Sequence, residues 1–310
     1  MPALSIVIPS YNSASWLPRS VASAFAFSNL QSEVLVVDDG STDETTKVLH
    51  ELQKTYPDLR VLKKENGGLS SARNHGIQHA YGRYVVLLDS DDELIPCDLA
   101  DCLAQGVDAI KIGVEEIGLD EAIIEYVEAF EVRTGKQYLA DRIAERRFHT
   151  PSWAWVYRRD YLAAAGLVFT PGLIHEDMLF TIEALLAARS VVGTPRKAYR
   201  YFKRQGSITT GIDERKLFNR IRCLSYISSA LTGYANDNPD IDLGWWALRV
   251  IDYAKTLSVD APSLRIRLSV FLMVCRFFWT YDLWGRFRTF RSIRYRLPEA
   301  LKFLVTPAAQ

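Results

Sequence analysis

The sequence predicts an α/β domain built on a mostly parallel central sheet, followed by a helical C-terminal region. Three observations carry that prediction. Four apolar runs, beginning at Ser5, Glu33, Leu59 and Arg83, alternate with helix-patterned segments, the rhythm of β-α-β units with right-handed crossovers. Each run ends in a polar cluster, and in parallel sheets ligands gather at the carboxyl ends of the strands. The last hundred or so residues are instead basic and aromatic, with a helical pattern.

The first run, Ser5 to Pro9, is expected to stop at Pro9, which has no backbone donor for a ladder. A loop, Ser10-Tyr11-Asn12, then leads to a helix over Trp16 to Phe25. Glu33 to Asp38 is a second strand ending in Asp38-Asp39-Gly40-Ser41. Ser41 and Glu44 have capping-box spacing, and Val48, Leu49, Leu52 and Tyr56 put an apolar stripe on the helix that follows. Leu59 to Lys63 is the third strand. Its glycine-bearing turn, Glu65-Asn66-Gly67-Gly68, opens a helix whose free amides suit an anion. The fourth strand, from Arg83, ends in Asp89, Asp91 and Asp92, three acids in four positions. Hard cations such as Mg²⁺ and Mn²⁺ take carboxylate oxygens there and share them with a phosphorylated substrate. Further on, Glu176-Asp177 precedes the apolar run Met178-Leu179-Phe180 at a helix start. A nicotinamide-binding domain is disfavoured, because no G-x-G-x-x-G follows the first strand.

The segments SIVIPSYN, VVDDGSTD, ENGGLSSARNHG and LLDSDD occur in that order. Together they resemble the nucleotide-sugar half of family 2 glycosyltransferases, inverting enzymes of the GT-A fold, a Rossmann-like architecture. WAWVYRRD, HEDMLF and YRYFKRQGSIT extend the resemblance to about residue 210, roughly two-thirds of the chain. The resemblance implies a nucleotide site of Pro9, Tyr11, Asp39, Asn66, Arg73 and Ser90, with Asp39 on the base and Arg73 on base or phosphate. It implies Asp91 as principal ligand of Mn²⁺ or Mg²⁺, assisted by Asp89, with Asp92 either joining them or only supporting the loop. Asp177 is implied as general base, with Glu176 in reserve. Arg204, Ser207 and Thr209 match a loop that closes over the donor diphosphate. Trp153 and Trp155 suit either an acceptor sugar face or the core; relatives often carry lysine where Trp155 stands.

The expected organisation is a GT-A domain over residues 1–210, with the nucleotide-sugar half about 1–100 and the acceptor half about 101–210, then a helical region over 211–310. The expected function is inverting transfer of a hexosyl or N-acetylhexosaminyl group from a nucleoside-diphosphate sugar, with uridine diphosphate as carrier, to a glycan or lipid-linked glycan. A retaining glycosidase also uses two carboxylates, but would leave the Asp39 and Asp91 clusters without a task. A sugar nucleotidyltransferase usually has a glycine-rich, arginine-containing loop after its first strand, which Ser10 to Ser15 is not. A catalytically silent relative serving as a membrane- or partner-binding module is the rival; the intact set Asp39, Asp91 and Asp177 argues against it.

Apolar residues make up 48% of the chain, which fits a globular protein with a sizeable core. Cys97, Cys102, Cys223 and Cys275 form no C-x-x-C pair and read as reduced core residues of a cytosolic protein. The N-terminus enters a strand almost at once, so no signal peptide is expected, and no uninterrupted apolar run is long enough to span a membrane. Acidic and basic residues balance at 37 each, but Arg265 to Lys302 carries nine basic and two acidic residues, a net of +7, interleaved with aromatics. That pattern suits the surface of an anionic membrane, so a peripheral position on the inner face of the cell membrane is expected. Nothing upstream supports a nucleic-acid partner.

Overall fold

The computed structural model describes residues 2–27, 31–204, 214–258 and 264–280. Ser207, Thr209 and the arginines from Arg286 to Arg296 lie outside the described residues. The chain divides into one unit of residues 1–139 with 149–205, and a second of residues 140–148 with 206–310. The cut thus falls near 205 rather than 210, and 140–148 joins the helical unit.

The first unit opens with β1 (Leu4–Ser10), α1 (Leu17–Ala26), β2 (Ser32–Asp38), α2 (Thr45–Thr55), β3 (Arg60–Lys63), α3 (Leu69–His79) and β4 (Tyr84–Leu87). It continues with β5 (Glu93–Leu94), α4 (Ala100–Ala104), β6 (Ala109–Ile117), β7 (Ile123–Tyr126), β8 (Phe130–Arg133) and α5 (Gly135–Ala144), which runs across the partition. β9 (Trp155–Arg158), α6 (Arg159–Ala164), α7 (Glu176–Ala187) and β10 (Val191–Phe202) complete it. The ten-stranded sheet has the order β3-β2-β1-β4-β9-β6-β10-β5, with β7 paired to β6 and β8 to β10. β3, β2, β1 and β4 are mutually parallel, as the alternation predicts, and β10 runs parallel to β6. β9 is inserted antiparallel between β4 and β6. That reversal brings the start of β9 to the same sheet edge as the end of β4.

Every residue of β1 is buried, and all of β2 but its first, as expected of parallel strands covered on both faces. Gly76 lets α3 lie close on the sheet: a Cβ there would collide with Val7 and crowd Val37. One turn earlier on the same helix sits Arg73, so this close approach sets its depth.

Two local expectations change. β1 does not stop at Pro9 but runs through it to Ser10, in register with Val37 and Asp38. Leu88 N–H donates to Val7 O and Asp39 N–H to Ser10 O, so alternate residues face β4 and β2, and Pro9 faces β4 where pairing has already ended at Val7. The capping box does not form. Ser41 Oγ accepts from Asn12 N–H (3.0 Å), while Asp43 Oδ1 accepts from Thr45 N–H (2.9 Å) at the start of α2. Of the predicted α2 stripe, Leu49 is buried and Val48, Leu52 and Tyr56 are half-buried.

The second unit contains α8 (Glu214–Asp237), α9 (Leu243–Ser258) and α10 (Leu264–Thr280). α8 buries Leu217, Ile221, Leu224, Ile227 and Leu231 at helical spacing. Phe148 meets Trp246 edge-on at 5.7 Å. Leu268 and Leu272, one turn apart on α10, are exposed. Among the described residues no helix is long and apolar enough to cross a membrane. The four cysteines form no disulfide, but they are not all core residues: Cys102 is buried and Cys275 exposed.

Candidate active site

The polar clusters after β1, β2, β3 and β4 converge at one sheet edge, each held by a side chain from another. Asn12 Oδ1 accepts from Thr42 N–H (2.8 Å), tying the loop after β1 to that after β2. Ser13 Oγ and Ser90 Oγ pair at 2.8 Å, joining the first loop to the acidic one. Pro9 is buried in β1, and Tyr11 projects beyond it, 49% exposed.

Asp39 departs from expectation. It is buried, and its carboxylate accepts from Lys64 Nζ (2.5 Å), Gly67 N–H (3.0 Å) and Gly68 N–H (2.7 Å). The free amides before α3 do hold an anion, but it is the chain's own Asp39. Gly68 meets this demand at φ +83°, a left-handed conformation that suits glycine. Asp39 therefore shapes the turn that carries the exposed Asn66, with its oxygens already engaged.

Arg73 also departs from expectation. Its side chain is only 1% exposed, and its guanidinium is taken up by the chain's own carboxylates. Its Nη1 donates to Glu176 Oε1 (2.7 Å) and Asp177 Oδ1 (2.8 Å), and its Nη2 to Asp89 Oδ1 (2.8 Å). One guanidinium thus joins the acidic loop after β4 to the first turn of α7. Burial opposes its charge, but Asp177, Asp89 and Glu176 more than offset this and hold it firmly protonated. Asn74 ties α3 to the segment before α7, exchanging hydrogen bonds with the backbone of Phe169 (2.7 and 2.8 Å). Phe169 in turn stacks on Phe180 of α7 at 3.8 Å.

Asp177 receives a further hydrogen bond from Ser152 Oγ (2.5 Å), on the turn before β9. Both bonds fall on Oδ1, which fixes the carboxylate's orientation. Its side chain is 22% exposed, so it stands at the cleft wall. Burial raises the Asp177 carboxyl above its ordinary range despite Arg73. Glu176, more deeply buried, is pushed up to about 7 by burial and then by the charge of Asp177. The preceding His175 takes φ 66°, uncommon for a non-glycine residue.

In the acidic loop, Asp89 and Asp91 are 24% and 19% exposed, whereas Asp92 is buried. Asp92 accepts from Tyr199 O–H (2.8 Å) and Phe202 N–H (2.9 Å), anchoring the loop to β10. Burial, then Asp89 and Asp91, raise its carboxyl well above the ordinary range. The Tyr199 hydroxyl also accepts from Asp89 N–H (3.2 Å). Asp91 Oδ2 pairs with Arg204 Nε (2.6 Å), and Arg204 lies 5.3 Å over the Trp16 ring. Arg204 therefore stands beside the acidic loop. Burial and then Asp89 raise the Asp91 carboxyl, with Arg204 opposing.

Trp153 stacks on Tyr199 (4.4 Å) and Tyr201 (5.5 Å) and is half-buried, whereas Trp155 belongs wholly to the core. Ser152, Tyr199 and Lys64 escaped the sequence reading. Only the Y-x-Y period, which puts Tyr199 and Tyr201 on one strand face, hinted at any of them.

A divalent cation fits this site. Asp89 and Asp91 offer hard oxygen donors, both partly open, and each has just one oxygen committed to an arginine. Among the described residues no cluster of three or more ligating side chains exists, so the remaining ligands would be phosphate oxygens and water, the usual habit of Mg²⁺.

The profile of the family described as "Glycosyl transferase family 2" matches residues 5–165. The uncharacterized glycosyltransferase YibD of Escherichia coli K12 is 29% identical over 217 residues, covering 66% of this chain and 63% of that protein. A chondroitin synthase of Pasteurella multocida is 41% identical over 105 residues, 34% of this chain and 11% of the synthase. The chain thus matches less than two-thirds of the length of either relative. Among solved structures, S. aureus TarS 1–349 in complex with UDP-GlcNAc superposes with a TM-score of 0.70 at 21% identity, covering 90% of this chain and 81% of that one.

Proposed function

The chain belongs to glycosyl transferase family 2, and we propose that it transfers a sugar from a uridine diphosphate sugar to a hydroxyl of a glycan or lipid-linked glycan, with inversion. The observation that carries this reading is the Arg73 hub, which joins the carboxylates of Asp89 and Asp177 through a single side chain. Leaving-group and acceptor chemistry would thereby be held in one frame, as in-line displacement requires. The donor assignment draws on TarS, which has the same fold and was solved with UDP-GlcNAc.

Asp177 is the general base. Ser152 Oγ and Arg73 both bond Oδ1, and Oδ2 is the oxygen assigned to take the acceptor proton. Burial holds its carboxyl above the ordinary aspartate range, which makes the ionised form a stronger base than an ordinary aspartate. Glu176 shares Arg73 but lies deeper, and serves to position it. Asp89 and Asp91 would hold Mg²⁺ or Mn²⁺, which when bound neutralises charge on the departing diphosphate. Arg204, beside Asp91, is placed to turn toward that diphosphate. Tyr11 and Asn66 line the nucleotide side, and Trp153 offers an aromatic face to the acceptor.

The C-terminal segment is assigned to an anionic membrane surface, supported by its net charge of +7 and by exposed Leu268 and Leu272.

The test is a screen of nucleotide-sugar donors followed by transfer assays. Asp177→Asn should lower the transfer rate about 10²–10⁴-fold with UDP affinity little changed, and proton NMR should show the inverted anomer. A retained anomer would overturn single displacement, and a fully active Asp177→Asn would move the base to Glu176.

A further inference from the structure

Lys111 lies in β6 directly opposite Trp155 of β9. It is 6% exposed, yet among the described residues no ion pair or hydrogen bond holds its ammonium. Its neighbour is the Trp155 ring, 5.4 Å from Nζ. Trp155 is itself fully buried, and among the described residues its indole Nε1–H has no acceptor. Two buried donors therefore stand side by side, the ammonium over the face of the ring and the indole N–H without an acceptor among the described residues. Buried polar groups almost always find a partner in protein, water or a bound ion. The nearby carboxylate of Glu128 is already the acceptor for Tyr138 O–H, at 2.7 Å.

Burial holds the Lys111 ammonium down at about 8, with Glu128 opposing that shift. Lys111 also helps to depress His149, which is exposed and meets Tyr126 edge-on at 5.2 Å. The ammonium is thus felt at an exposed rim. Trp155 follows closely after Ser152, the residue that holds Asp177, and Trp153.

We propose that Lys111 and Trp155 form an oxyanion subsite on the acceptor side of the cleft, taking a carboxylate or phosphate group. An oxyanion supplies both the missing counter-charge and the missing acceptor. Assigning that group to the acceptor rests on the function proposed above; oxyanion binding itself does not.

The experiment uses full-length protein labelled with ¹³C-lysine and saturated with UDP, so that groups which bind diphosphate are occupied. The Cε resonance of Lys111 is identified by its loss in Lys111→Met, a variant expected to fold at least as well, since a buried charge becomes apolar. Inorganic phosphate and glucuronate are titrated separately at pH 8, which distinguishes a phosphate-bearing from a uronate-bearing acceptor. Either anion should shift the Lys111 resonance saturably. Trp155→Phe, which keeps a ring but removes the N–H, should weaken that binding about 10-fold. An unmoved Lys111 resonance with both anions would overturn the subsite. Failure of UDP to bind would instead count against the proposed function, and the Lys111 readout would still decide the subsite.

Discussion

Arg73→Met removes the one cation that Asp89, Glu176 and Asp177 share, while keeping an unbranched side chain in the same space. Arg73 is 1% exposed, so water cannot readily replace it. Removing one partner of a buried ion pair costs about 3–5 kcal/mol. For a unit of this size, that corresponds to a fall in Tm on the order of 10 °C near pH 8. The deficit should depend on pH with a definite sign. Burial already raises Asp177 and Glu176, and Arg73 is the charge that opposes it at both. In its absence both folded-state pKa values climb further above their unfolded values. A carboxyl raised on folding contributes stability below its unfolded pKa and loses it as pH rises through the folded one, at about 1.4 kcal/mol per pH unit per retained proton. The gap between variant and wild type should therefore be narrow near pH 5 and widest above the Glu176 value of about 7. Thermal unfolding of both proteins at pH 5 and pH 8 measures it. A deficit equal at the two pH values, or a variant as stable as wild type at pH 8, would refute the shared-cation account.

Asp91→Ala should lower transfer by orders of magnitude with the fold intact, because Asp91 is partly exposed and its ion-pair partner, Arg204, is itself open to solvent; circular dichroism checks the fold, and full turnover in excess chelator would sink the metal assignment. The protein should co-sediment with anionic vesicles at low salt and be released by salt or by replacing Arg286, Arg288, Arg291 and Arg294 with glutamine. Equal recovery in the supernatant with anionic and neutral vesicles would remove the membrane from the proposal.

The local sequence determined the parallel core and the position of the cleft. Buried parallel strands must be apolar along their whole length and must end in whatever the ligand requires, so SIVIPSYN, VVDDGSTD and LLDSDD declare strand, end and chemistry together. The acids at the start of α7 were legible for a similar reason, as a short motif followed at once by an apolar helix.

What the sequence could not decide was which charges meet. Asp39 and the amides before α3 were both read as ligand-binding groups, and in the fold they bind each other. Arg73 was read as a contact to the nucleotide, but Gly76 draws α3 so close to the sheet that Arg73 is buried among three carboxylates from two distant segments. Ser152 carried no signal and Tyr199 only a strand-face period, since a lone hydroxyl acquires its role only from the carboxylate it reaches. Strand and helix pattern is written in near neighbours along the chain. Pairing between charges depends on sheet order and packing depth, and the insertion of β9 between β4 and β6, which sets both for this site, is a tertiary fact.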